Sequence, residues 1–193
     1  VADAGRVIAG SARGRRLVAP GAETRPLADR VKQTLFAILE PDLPGAAFLD
    51  LCAGSGAAGI EALSRGAARA TFVERDRRVV TTIGENLGLT GLAGPNARVV
   101  CDDALAWLAA GAGGDGPFDL VVIDPPYAET ELLERLLGIL GADTEGRLLA
   151  PGARVVAKHF WRARPPARVG LLASERDRRF GETGLAFYRR EGG

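Results

Sequence analysis

Histidine, cysteine and lysine are scarce in this 193-residue chain, which has one His, two Cys and only Lys32 and Lys158 as lysines among 25 basic residues. No metal is expected, because His159 and two separated cysteines make no credible ligand cluster. Cys52 and Cys101 end different expected strands, so they suggest no disulfide framework and read as small core residues. Long apolar runs are missing too. None approaches the roughly eighteen residues of a membrane span. The opening Val1-Ala2-Asp3-Ala4-Gly5-Arg6 lacks a signal-peptide core. The expectation is a cytoplasmic monomer with no membrane partner.

Acidic residues are thin at both ends. Residues 1–32 carry seven Arg/Lys against three Asp/Glu, a net +4, and residues 154–193 carry ten against four, a net +6. Residues 33–153 carry −9, within a total of +1. An acidic core flanked by basic ends suits an enzyme that handles a polyanion, because phosphate contacts come from Lys and Arg.

What is present is a strand, a glycine loop and a helix. Phe48–Cys52 reads as a strand, Ala53-Gly54-Ser55-Gly56-Ala57-Ala58-Gly59 follows, and Ile60–Ser64 is helical. The loop fits G-x-G-x-x-G, in which glycines permit a tight turn and a close approach of backbone to ligand. A second strand, Ala70–Val73, ends in Glu74, twenty residues after Gly54. An acid there accepts from ribose hydroxyls, so a nucleoside cofactor is expected. Asp50 lies at the mouth of the loop, where a carboxylate repels a pyrophosphate. It favours S-adenosylmethionine, which carries a sulfonium and an ammonium; a turn or helix cap is its other reading. A third strand, Ala97–Cys101, leads to Asp102-Asp103-Ala104. One carboxylate, by preference Asp103, could accept from the adenine amine while the other caps the next helix.

The apolar run Leu120–Ile123 is followed by Asp124-Pro125-Pro126-Tyr127. Prolines stiffen the turn and leave carbonyls free to accept. Asp124 and the Pro125 carbonyl are acceptors for an exocyclic amine, and Tyr127 offers a face on which a planar base can stack.

The remaining pattern gives a basic hairpin (Arg6–Gly10 and Arg15–Val18) and a helix over about 27–39. Strand four is Phe118–Ile123, and a helix covers about 130–140. Strand five is about 153–157, and two further strands run about 169–175 and 185–188, joined through Arg176–Thr183. Alternating strands and helices predict an α/β, mainly parallel sheet with ligands beyond the carboxyl ends of its strands. The expected organisation is an N-terminal basic hairpin and helix extension, 1–44, followed by a cofactor domain, 45–193.

Several segments together resemble the RsmD family of bacterial 16S rRNA guanine-N2 methyltransferases. They are Arg13-Gly14-Arg15, Arg25-Pro26-x-x-Asp29-Arg30-Val31-Lys32-x-Thr34-Leu35-Phe36, Asp50-x-x-Ala53-Gly54-Ser55-Gly56, Glu61–Ala67 and Asp124–Tyr127. The resemblance implies a Rossmann-like class I methyltransferase fold, a seven-stranded mainly parallel sheet with helices on both faces. It implies S-adenosylmethionine as cofactor, held by Asp50, Ala53, Gly54, Ser55, Gly56, Glu74, Asp102, Asp103 and Ala104. It implies Asp124, Pro125 and Tyr127 at the reacting amine of a guanine in the helix 31 loop of 16S rRNA, within the small subunit and not in DNA. Arg13, Arg15, Arg16, Arg25, Arg30 and Lys32 are the expected RNA contacts. Where relatives often carry an acid near the end of strand five, this chain has Lys158-His159-Phe160. The alternatives are a DNA adenine or protein glutamine methyltransferase, an NAD-dependent oxidoreductase, and a non-catalytic RNA-binding module.

Overall fold

The computed structural model describes residues 3–21 and 28–192. Arg25 and Pro26 of the Arg25–Phe36 segment lie outside the described residues. The chain divides into two compact units, Val1–Asp102 and Asp103–Gly193.

The first unit opens with β1 (Asp3–Arg6) and β2 (Arg16–Val18), an antiparallel pair. Helix α1 (Asp29–Leu39) buries Val31, Lys32, Leu35, Phe36 and Leu39, a stripe at helical spacing. Its Phe36 stacks on Phe48 of β3 (Ala47–Leu51), with ring centroids 6.2 Å apart. Then come α2 (Ala57–Ser64), β4 (Arg69–Glu74), α3 (Arg77–Thr90) and β5 (Ala97–Cys101). Asp76 caps α3 by accepting from Arg78 N at 2.8 Å. Strands β3, β4 and β5 are parallel neighbours. Asp50, the glycine loop, Glu74 and Asp102 therefore share one carboxyl edge, as the sequence predicts.

The hairpin is fastened to α2. The Glu61 carboxylate, fully buried, accepts from Ile8 N at 2.8 Å and Ala9 N at 3.0 Å. Ser64 adds bonds through Ser11 N to its carbonyl and Ala12 N to its hydroxyl, at 2.8 and 2.9 Å. A Cβ on Gly10 would lie 1.8 Å from Ser64 O, so only glycine permits this approach.

The second unit contains α4 (Ala104–Ala109), β6 (Phe118–Ile123), α5 (Thr130–Gly141), β7 (Leu149–Phe160), β8 (Arg168–Val169), β9 (Leu172–Phe180) and β10 (Thr183–Arg190). β6 pairs in parallel with β7, and β10 joins β7 and β9 antiparallel. Three details correct the sequence reading. Strand five extends through Phe160. The segment read as a connection, Arg176–Thr183, is mostly strand, closed by a turn at Gly181-Glu182. Two-residue β8, on the edge of β9, is a strand beyond the expected seven. The cysteines are not core residues either. Cys101 is exposed, while Cys52 is half-buried with φ +60°, a backbone region seldom used outside glycine.

Candidate active site

In the first unit the carboxyl edge builds a cradle. β3 ends into Cys52, and Ala53 N donates to Val73 O at 3.1 Å, which holds the loop against β4. Gly54 and Gly56 take φ +54° and +76°, and Gly56 stands at the N-cap of α2. A Cβ on Gly59 would lie 2.2 Å from a Phe72 ring carbon, so the third glycine brings α2 directly onto β4. Glu74 closes the cradle: its Oε2 accepts from Gly54 N and its Oε1 from Asp76 N, both at 3.1 Å. Ser55 is buried, and its carbonyl accepts from Asn86 Nδ2 at 2.9 Å.

Asp50 departs from expectation. It is 1% exposed, and its Oδ2 accepts from Gly59 N at 2.9 Å. It caps α2 from below rather than facing a ligand at the mouth of the loop. Acidic side chains at this edge, Asp50 and Glu74, suit a cationic cofactor better than a pyrophosphate. The cradle thus fits S-adenosylmethionine, with a glycine loop open to close backbone approach and an acidic side chain at the end of β4. Asp102 follows β5, its N donating to Glu74 O at 3.1 Å.

In the second unit, Asp103 is the N-cap of α4 and accepts from Ala106 N at 3.0 Å. Of its two readings the capping one is realised by this bond. Ala104 is buried at the first helical position.

Asp124 follows β6 at the carboxyl edge of its parallel pair with β7. Its Oδ1 accepts from Lys158 Nζ at 2.5 Å. Burial pushes the Asp124 carboxyl above its ordinary range, and the Lys158 ammonium offsets part of that rise. Lys158 also lies 5.0 Å from the Tyr127 ring centroid. Tyr127 is fixed at two further points. Its hydroxyl bonds Thr183 Oγ1 at 2.6 Å, and its ring meets Phe160 edge-on at 6.3 Å. Phe160 and Thr183 are directly paired across β7 and β10. Alternation along β7 sends Lys158 and Phe160 to one face and His159 to the other, over Gly184. The sequence marks Lys158-His159-Phe160 as a departure at this edge without assigning it a role; Thr183 is the neighbour of Tyr127 that sequence reasoning missed. The available signal for Lys158 was a lone lysine just past the apolar run of strand five.

Of the expected RNA contacts, Arg13, Arg15, Arg16 and Arg30 are exposed, and Arg16 pairs with Asp3 at 2.8 Å. An open pocket beside the tip is lined by Arg6, Val7, Ile8, Arg13, Gly14 and Gln33. Lys32 is corrected: it is fully buried, donates to Arg6 O and faces Glu61 at 3.8 Å. A side chain so enclosed grips no phosphate. Burial lowers its pKa, with Glu61 opposing.

Comparison with known proteins agrees with this architecture. A protein named Putative rRNA methyltransferase YlbH, from Bacillus subtilis, is 39% identical over 188 residues, 97% of this chain and all of that one. Ribosomal RNA small subunit methyltransferase D of Escherichia coli is 44% identical over 136 residues, 70% of this chain and 66% of that protein. The solved structure of Putative methyltransferase yhhF from Escherichia coli superposes with a TM-score of 0.84 at 36% identity, covering 97% of this chain and 98% of that one. The fold is therefore the Rossmann-like class I methyltransferase fold. Residues 5–189 match the family described as Conserved hypothetical protein 95, and the chain belongs to that family, the RsmD family.

Proposed function

We propose that this protein methylates ribosomal RNA of the small subunit, transferring the methyl group of S-adenosylmethionine to the exocyclic N2 of a guanine in the helix 31 loop of 16S rRNA. The observation that carries the reading is the Asp124–Tyr127 turn, with its half-buried carboxylate held by Lys158 and its aromatic ring immobilised by Thr183 and Phe160. The names of the relatives support the rRNA substrate, and the carboxylate-lined glycine cradle supports the cofactor.

S-adenosylmethionine, when bound, supplies an electrophilic methyl group. Guanine N2 is a poor nucleophile because its lone pair is delocalised into the ring. Positive charge grows on that nitrogen during attack, so Asp124 and the Pro125 carbonyl bind the transition state more strongly than the ground state. Tyr127, held by Thr183 and Phe160, stacks on the base after it leaves its loop. Arg13, Arg15, Arg16 and Arg30 supply positive charge that the acidic middle of the chain lacks. No helix among the described residues is long and apolar enough to cross a membrane.

The deciding experiment offers labelled cofactor with naked 16S rRNA, small subunits and DNA, and identifies the product nucleoside. N2-methylguanosine from the ribosomal substrates is expected. Methyladenine in DNA would move the protein to the alternative amine target.

A further inference from the structure

The basic segment beyond β7 has no part in the chemistry above, yet it adjoins the Asp124–Tyr127 turn. Trp161 directly follows β7, and its N donates to Glu182 O at 3.0 Å, in the turn between β9 and β10. Arg179, exposed near the end of β9, donates from Nε to Gly181 O at 2.9 Å in the same turn. Its guanidinium lies over the indole, 3.6 Å from the ring centroid. Arg162, also exposed, lies 4.7 Å from that centroid. Trp161 in turn meets Phe160 at 6.3 Å, and Phe160 meets Tyr127 at 6.3 Å. An unbroken aromatic row thus runs from Tyr127 to a tryptophan bearing two cations.

The charges on this row have no acidic partner among the described residues. Of the neighbouring arginines, Arg154 pairs with Glu175 at 3.1 Å and Arg164 with Asp177, while Arg178 donates to the Asp177 carbonyl. Arg162 and Arg179 make no ion pair among the described residues. Cation–π contact with Trp161 orders both side chains without discharging them. Their N–H forks remain suited to phosphate oxygens, which guanidinium recognises better than ammonium does.

We propose that Arg162 and Arg179, arrayed on Trp161, form a clamp for the phosphate backbone of single-stranded RNA beside the nucleotide held by Tyr127. The proposal rests on the RNA-methyltransferase reading and specifies where the flanking strand is gripped. Single-stranded RNA fits because phosphate-binding guanidinium groups and a ring lie together, and because a base outside its stack leaves its neighbours' backbone accessible.

The test is equilibrium binding of the full-length protein to a mixed-sequence single-stranded oligoribonucleotide and to small subunits, across a salt series. Arg162→Ala with Arg179→Ala should flatten the dependence of log K on log salt by about 1.4, at about 0.7 per lost phosphate contact. Affinity at 0.1 M salt should fall on the order of twentyfold, the loss that slope implies on extrapolation from 1 M. Trp161→Ala keeps both charges but releases them, so affinity should fall with a nearly parent slope; Trp161→Phe should restore most of it. Cofactor affinity, measured in parallel, should stay at the parent value and reports folding. Parent slope and affinity in the double variant overturn the clamp, as does an absence of RNA binding by the parent. A parent that binds through the clamp but places its methyl elsewhere than guanine N2 overturns only the target assignment.

Discussion

Asn86 holds Val18 by both backbone groups: its Oδ1 accepts from Val18 N at 2.8 Å, and its Nδ2 donates to Val18 O at 2.9 Å. The same Nδ2 reaches Ser55 O, so one buried carboxamide ties β2 to the glycine loop. Asn86→Ala leaves these groups without partners. A loss of about 1–3 kcal/mol in denaturant unfolding is expected, the desolvation penalty of an unsatisfied buried group. Cofactor affinity should fall with it. Parent stability and affinity together would mean the tie carries no energy.

Glu74 accepts from the amides of Gly54 and Asp76, and the proposed ribose contact is added to these. Glu74→Ala should weaken S-adenosylmethionine binding by roughly 1.5–3 kcal/mol, as for a hydrogen bond to a charged group. Glu74→Gln keeps an acceptor for Gly54 N and should lose less. Titration of folded Glu74→Ala at parent affinity refutes the assignment.

On the proposed mechanism, Asp124 is expected to set an acid limit to turnover. Its folded pKa lies above the ordinary value, so protonation removes the acceptor at a higher pH than for an exposed carboxyl. Lys158→Met removes the charge that opposes this rise, and the acid limb of kcat/KM should move to higher pH. Lys158→Arg should bring it back. Because the folded state binds this proton more tightly than the unfolded chain, the group favours folding below its ordinary range. That contribution is lost as pH rises through the folded pKa. Asp124→Ala should raise the barrier by on the order of 2.7–4 kcal/mol, with cofactor affinity kept. A limb that stays in place in Lys158→Met sinks the counterion role.

Lys32 and the tip arginines should separate cleanly. Lys32→Met strips the buried Glu61 of one cation but leaves Arg65, whose Nε lies 2.8 Å from Glu61 Oε1. The stability loss should therefore fall short of the about 3–5 kcal/mol seen when a buried pair is broken outright. The salt dependence of RNA binding should not change. Arg13, Arg15 and Arg16 replaced together by Ala should do the reverse, flattening that dependence by about 0.7–0.9 per lost contact while stability holds. The opposite pattern would return Lys32 to the RNA surface.

The sequence is most readable where one residue type decides a local geometry. The glycine fingerprint, the Asp124–Tyr127 turn and the strands Ala97–Cys101 and Phe118–Ile123 coincide with the structure for that reason. It is least readable where pairing overrides composition. Leu172–Phe180 is dense in charge, yet it is strand because β10 supplies its hydrogen bonds. Strand five looked finished at Ala157 because Lys158 brings its charge to a half-buried face and finds its partner 34 residues earlier. Lys32 was legible in principle. It shares helical spacing with Leu35, Phe36 and Leu39, which places its ammonium on the buried stripe.

The bonds that fasten the hairpin to α2 also limit what can be learned by deletion. Excising residues 3–20 would strip Glu61 of two amide donors, Ser64 of its partners and Asn86 of Val18, opening polar groups in the wall of the cofactor half. Such a shortened protein should lose cooperative unfolding before it loses RNA, and its inactivity would say nothing about the tip. The hairpin and the cradle behind it should melt in a single transition.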